Sequence, residues 1–327
     1  ENWFDEFKHV SFYTTPIPSE GRLNKFFKGF FFWNKILRRE KFDLFEGFNL
    51  PMFKNRYGKT VMTIHDLRGL KSEYSLLYRK IFKTVLNMSF KNCDHIITGS
   101  KIIQKDISSL FPKSSISVIY NGIDAEKYSS TNMKDFSNIQ SRLNLPEKFL
   151  LAVGHFEKRK NYIRLLNAIS KLKGDARDFS LVIIGNNNGE LENIIEHIDL
   201  LNMKDRVKIY SGLTDLEVYC AYKSCSLFIF PSLYEGFGIP ILEAMNAKAP
   251  VLLSDIDVFK EITENALSYF NPIKVQSIQD SIQLILSDVN LKDRNINYGQ
   301  KRIQLFTFKK LASQLEGIYR DLYINHA

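Results

Sequence analysis

Short apolar runs rich in β-branched residues alternate along this chain with longer stretches whose apolar positions recur every three to four residues. A strand buried on both faces reads as a near-continuous apolar run, and a helix packed on one side reads with a period of 3.6. The alternation therefore predicts βα units of a parallel sheet. The first series of units has predicted strands at 10–13, 43–46, 60–64, 95–98 and 116–119, with helices over 22–39, 75–91 and 101–110. The second has strands at 149–153, 180–184, 206–209, 227–230, 251–253 and 267–270, with helices over 161–172, 191–200, 215–223, 240–247 and 275–286. Two terminal helices, near 291–306 and 308–323, close the chain.

Between the series lies a polar stretch, 129–141, and Pro146 precedes the next strand, which marks the domain boundary. The expected division is a first Rossmann-like domain over 1–145 and a second over 146–327, with the helix at about 308–323 returning to the first. Open parallel sheets bind ligands beyond the carboxyl ends of their strands. Motifs at strand-to-helix turns therefore carry the functional reading.

The richest such turn runs from Phe230 through Glu235-Gly236-Phe237-Gly238-Ile239-Pro240 to Glu243. Pro240 suits a helix start, Gly236 and Gly238 permit close approach to the main chain, and the unpaired N–H groups of a helix start suit phosphate. Glu243, at the end of the first turn, leans back toward the N-terminus, where a carboxylate can take hydrogen bonds from a pair of hydroxyls such as those of ribose. Glu235 brackets the other end. Read singly, the two acids are a loop carboxylate and a helix-dipole partner.

Two acids beside a diphosphate need cations. The turn Gly154-His155-Phe156-Glu157-Lys158-Arg159-Lys160-Asn161 follows the first strand of the second series and supplies them. Arg159 offers a planar fork and Lys160 a point charge. In the first series, His65-Asp66 ends a strand, and an imidazole there suits a hydroxyl-bearing substrate.

These residues together resemble a large family of retaining glycosyltransferases, the family 4-like group with bacterial mannosyl- and glucosyltransferases. Its signature is Glu, seven residues, then Glu. The resemblance implies an α/β GT-B fold, two Rossmann-like domains facing across a cleft, and a hexosyltransferase that retains anomeric configuration. It implies that Glu235, Gly236, Phe237, Gly238 and Ile239 meet the sugar and α-phosphate, and that Glu243 meets the ribose. Gly154, Arg159 and Lys160 would hold the diphosphate, and His65 would face the sugar. Glu235, His65, Arg159 and Lys160 form the implied catalytic set. No metal and no cofactor are implied. The co-substrate is a nucleotide diphosphate sugar, GDP- or UDP-linked, with mannose the expected hexose. The expected acceptor is a saccharide or lipid-linked saccharide in cell-surface polysaccharide synthesis.

At 327 residues and 44% hydrophobic content the chain can bury two cores. The formal charge of +9 arises in the first half, where residues 1–145 carry 23 Lys+Arg against 14 Asp+Glu. That asymmetry suits an anionic membrane surface as partner, and the expected location is cytoplasmic, peripheral at the inner face of the membrane. Nucleic acid is not an expected partner, because no Lys/Arg stripe is interleaved with stacking aromatics. Three cysteines without metal-ligand spacing suit a reducing compartment.

The chain departs from the family in places. It opens at Glu1 without the usual first strand and glycine-rich loop, which reads as an N-terminal truncation. Lys248 stands where the family usually has glycine. Ser254-Asp255-Ile256-Asp257 has the spacing of a metal-binding acid pair but the wrong position for it. A weakened sugar-nucleotide-binding subunit and an epimerase or phosphorylase on the same fold stay open as alternatives.

Overall fold

The computed structural model describes residues 9, 11, 15–17, 22–48, 50–128 and 133–324, with backbone alone for 22–27 and 133–134. The strand expected at 10–13 falls largely outside them. The first series comprises α1 (Arg22–Arg39), β1 (Leu44–Gly47), β2 (Lys59–Ile64), α2 (Leu76–Asn92), β3 (His95–Thr98), α3 (Lys101–Leu110) and β4 (Ile116–Val118). Its sheet has the order β1-β2-β3-β4, with β1 and β2 parallel. Asp94 pins this sheet, accepting from the Thr60 N–H at 2.8 Å and from Lys54 at 2.8 Å.

After α4 (Met133–Arg142) come β5 (Phe149–Val153), α5 (Tyr162–Ile169), β6 (Ser180–Ile184), α6 (Leu191–Leu200), β7 (Val207–Tyr210), α7 (Asp215–Ser224) and β8 (Leu227–Phe230). The chain continues through α8 (Ile239–Asn246), β9 (Val251–Ser254), α9 (Asp257–Ile262), β10 (Ser268–Phe270), α10 (Val275–Ser287), α11 (Val289–Ile303) and α12 (Phe308–Ile324). The second sheet is parallel throughout, in the order β10-β9-β8-β5-β6-β7. Read from β7, this is the doubly wound order 3-2-1-4-5-6, so the topological switch point lies between β5 and β8.

Side chains alternate across a strand, and both faces of this sheet are covered. Phe149, Leu151, Phe228, Phe230 and Leu253 join one apolar core, while Leu150, Ala152, Leu181, Leu227, Ile229 and Leu252 join the other. This is why these strands read as unbroken apolar runs.

The polar stretch at 129–141 is not simply a linker. Its second half is α4, which buries Phe136 and Ile139 against Cys220 on α7. Two apolar residues at i, i+3 in a polar background suffice when a partner helix waits, each burial contributing about 1.5–3 kcal/mol. The pattern also overlooked the six-residue α9, too short to show a helical period.

The described chain forms two compact units. One draws on Glu1–Thr63, Gly69–Ile96 and Tyr319–Ala327, and the other on Ile64–Arg68 and Ile97–Ile318. In the first unit Tyr319, on α12, donates its hydroxyl to Glu46 on β1. In the second, the turn after β2 and the elements from the end of β3 onward pack with the six-stranded sheet.

Candidate functional site

The carboxyl ends of β5 and β8 flank the switch point, and the two turns that leave them are joined. Leu233 N–H donates to the Arg159 carbonyl at 2.8 Å. Asn161, in the left-handed conformation at φ 60°, donates its amide to the carbonyls of Pro231 (3.0 Å) and Pro272 (2.8 Å). The result is a single rigid surface presenting the basic pair and the acid together.

Glu235 lies at the centre, its side chain 12% exposed. Oε1 accepts from Lys160 Nζ at 2.7 Å and from Ser232 Oγ at 2.8 Å, while Oε2 is 2.6 Å from Arg159 Nη1. Burial alone would raise its pKa, but Lys160 and Arg159 outweigh burial and hold it below the usual 4.5. The Arg159 fork also donates from Nη2 to Glu157 Oε1 at 2.7 Å, and Glu157 in turn lies 3.5 Å from Arg68. Despite burial, these acids keep Arg159 firmly protonated. Arg159 Nε is buried with no partner among the described residues, a donor that suits a phosphate oxygen. Gly154 makes room for this arrangement, because a Cβ there would lie 2.8 Å from Lys160 Cε. Lys160 is fixed further by the Phe230 ring, 4.6 Å away.

The loop after Glu235 is confined by backbone. A Cβ on Gly236 would stand 2.0 Å from the His65 carbonyl oxygen, and Gly238 has φ 125°. Tyr234 accepts the Leu67 N–H at 3.2 Å on its hydroxyl, which ties the turn after β2 to the same loop. Phe237 is buried against Tyr120 and Phe306, so its ring belongs to the core and only its backbone remains for a ligand. Among the described residues, no backbone N–H from 235 to 239 donates to another main-chain group. Ile239 opens α8, one residue before the start the sequence pattern gives, so Pro240 takes the second helical position. Glu243, half-buried one turn in, accepts from the Tyr222 hydroxyl at 3.0 Å, and burial raises its pKa.

His65 is exposed at the start of the turn after β2, and it touches the Gly236 loop through its carbonyl. Lys248 has φ 62°, a left-handed conformation that costs a side chain roughly 1–2 kcal/mol and that glycine accepts freely. Asp255 pairs with Lys260 at 2.5 Å, and Asp257 opens α9. The sequence reading missed Glu157, Ser232 and Tyr222 as partners of the site. Glu157 and Ser232 had a local signal, an acid two residues from Arg159 and a hydroxyl three residues from Glu235. Tyr222 had none.

Two family models match the chain: glycosyl transferases group 1 over residues 133–302, and glycosyltransferase family 4 over residues 3–127. The O-antigen chain mannosyltransferase RfbU of Salmonella typhimurium is 30% identical over 238 residues, 72% of this chain and 62% of that protein. The chain thus spans less than two thirds of that relative. Among solved structures, sucrose-phosphate synthase from Thermosynechococcus elongatus superposes with a TM-score of 0.75 at 21% identity, covering 94% of this chain and 81% of that one. HepE of Anabaena, in complex with UDP and glucose, gives 0.74 at 21% identity over 94% and 84%. The fold is GT-B, and the chain belongs to the glycosyl transferases group 1 family.

Proposed function

We propose that this chain binds a nucleotide diphosphate sugar on the Glu235–Glu243 loop and transfers its hexose to a saccharide or lipid-linked saccharide in cell-surface polysaccharide synthesis. The observation that carries the reading is the convergence of Arg159 and Lys160 on Glu235, beside a run of undonated amides at a Rossmann switch point. In this reading the diphosphate competes with Glu235 for the two cations, which frees the carboxylate for a sugar hydroxyl. The amides of 236–239 receive the α-phosphate, and Glu243 receives the ribose. The hexose is mannose, a choice supported by mannosyltransferase relatives, and the nucleotide is GDP or UDP, the second supported by the UDP in HepE.

Arg159 and Lys160 take the role of leaving-group stabilisers, so the reaction proceeds without a metal ion. The bond from C1 to the β-phosphate oxygen breaks while the acceptor oxygen bonds C1 on the same face. The acceptor's proton passes to the departing phosphate oxygen, and configuration is retained. His65 orients the sugar or acceptor.

An anionic membrane is the proposed partner of the first unit. Helices α1 and α2 together carry ten Lys and Arg and no acid. On α2, Leu77, Ile81 and Met88 share an exposed stripe flanked by Lys80 and Lys83, and on α1 Phe31 is 69% exposed. Apolar residues that insert and cations that meet headgroups are what an interfacial helix needs. Among the described residues, no helix is long and apolar enough to cross a membrane.

The test is a thermal-shift screen of nucleotide sugars, because a donor that binds the folded state raises its melting temperature. It is followed by NMR of the product anomer. Stabilisation by one GDP- or UDP-linked hexose and an anomer matching the donor support the reading. Stabilisation by none, or an inverted anomer, opposes it.

A further inference from the structure

Ser100 precedes α3 and is fully buried. As the helix cap it accepts the Ile103 N–H on its hydroxyl oxygen at 3.2 Å. Its single hydroxyl proton goes elsewhere, to the carbonyl oxygen of Gly236 at 2.9 Å. A helix cap requires only the acceptor, so the donation to Gly236 is a second function of the same atom.

In a trans peptide the C=O and the following N–H point in opposite directions. Fixing the Gly236 carbonyl on Ser100 therefore turns the Phe237 N–H away from Ser100, to a side where it meets no main-chain acceptor among the described residues. The peptide cannot drift to another orientation. The His65 carbonyl leaves no space for even a methyl group on Gly236, and the buried Phe237 ring anchors the next residue. Ser100 is anchored as well. The Glu261 carboxylate accepts from the N–H groups of Lys101 (2.6 Å) and Ile102 (3.0 Å) and from the Tyr120 hydroxyl (3.0 Å). A path of hydrogen bonds thus runs from α9 through the start of α3 to the loop.

We propose that Ser100 is a positioning residue: it orients the Gly236–Phe237 peptide so that the Phe237 N–H faces the phosphate of the donor. The assignment rests on the donor site proposed above. The departing group is the whole diphosphate, and an amide that donates to it matters most as negative charge builds there during bond breaking, so misorienting it lowers kcat more than it raises the donor KM.

The experiment compares wild type with Ser100→Ala, Ser100→Thr and Ile107→Val in steady-state transfer assays, together with thermal stabilisation by UDP and GDP. Ile107 is buried on α3 about two turns beyond Ser100, and the loss of one methylene there matches the stability cost of a lost cap, about 1 kcal/mol for each. Ser100→Ala is expected to lose roughly tenfold or more in kcat, less than the loss from deleting an oxyanion donor outright. Ser100→Thr, which keeps the hydroxyl, recovers most of it, and Ile107→Val stays within about twofold of wild type. A Ser100→Ala enzyme that turns over like wild type, or falls no further than Ile107→Val, overturns the assignment while the donor site stands. Failure of both nucleotides to stabilise wild type overturns the donor site and this assignment with it.

Discussion

Lys160 Nζ lies 2.7 Å from Glu235 Oε1, and both side chains are largely buried. Removing one partner of a buried pair strands the other charge, at about 3–5 kcal/mol. Glu235→Ala, which strands Lys160 and leaves Arg159 with Glu157 alone, should therefore lower stability by about that amount. Glu235→Gln keeps the shape and should cost less. Both should lose transfer. Denaturant unfolding read beside activity separates the two effects, and a Glu235→Ala protein as stable as wild type would show that the pair is not buried in solution.

Two glycines make a contrasting pair. At Gly236 a methyl group would stand 2.0 Å from a backbone oxygen, so Gly236→Ala should destabilise by about 1–3 kcal/mol and displace the loop. At Gly317, exposed on α12, nothing lies within 4 Å of the new atom. There alanine should stabilise by about 0.5–1 kcal/mol through helix propensity. Thermal melts of the two variants decide; a neutral Gly236→Ala would mean the turn after β2 yields easily.

The βα pattern was legible because its interior strands are apolar on both faces, and β3, β5, β6 and β8 match the expected bounds residue for residue. The helix α4 was not legible, since Phe136 and Ile139 gain their meaning from Cys220, 81 or more residues away in sequence. The same holds at the site. Arg159, Lys160 and Glu235 could be read from local chemistry, and the structure brings them within hydrogen-bond distance. Ser100 and Tyr222 could not, because a serine before a helix reads as a cap and a tyrosine among apolar residues reads as core.

Glu243 gives a pH dependence with a definite sign. Burial raises its pKa above the usual 4.5, and the Tyr222 hydrogen bond works the other way. In the proposed donor site ribose hydroxyls donate to the carboxylate, so nucleotide affinity should fall as pH drops through this raised value. Tyr222→Phe removes a bond to the anion, raises the pKa further and should move the loss to higher pH. Stability follows the opposite course at the two acids. Glu235, with its lowered pKa, contributes stability above pH 4.5 that is lost on acidification through the folded value. Glu243, with a raised pKa, favours the fold most when protonated and gives that up as pH rises. Nucleotide titrations from pH 4.5 to 8 test the binding arm; a Tyr222→Phe profile superimposable on wild type contradicts it.

On the first unit, the Lys80→Glu/Lys83→Glu double variant should detach the protein from anionic vesicles. Each cation near such a surface contributes about 1 kcal/mol, so reversing two should weaken binding by tenfold or more. Cosedimentation with phosphatidylglycerol-containing and pure phosphatidylcholine vesicles is the measurement. Equal binding of wild type to both, or none to either, removes the membrane from the account.

The most direct test of the donor site is a calorimetric titration of GDP and UDP into wild type and Arg159→Met. Wild type should bind one of them with release of heat, and the variant, without its guanidinium fork, should bind it at least tenfold more weakly, the equivalent of about 1.4 kcal/mol. Equal affinity in the two proteins, or no binding of either nucleotide to wild type, would contradict a diphosphate held by Arg159.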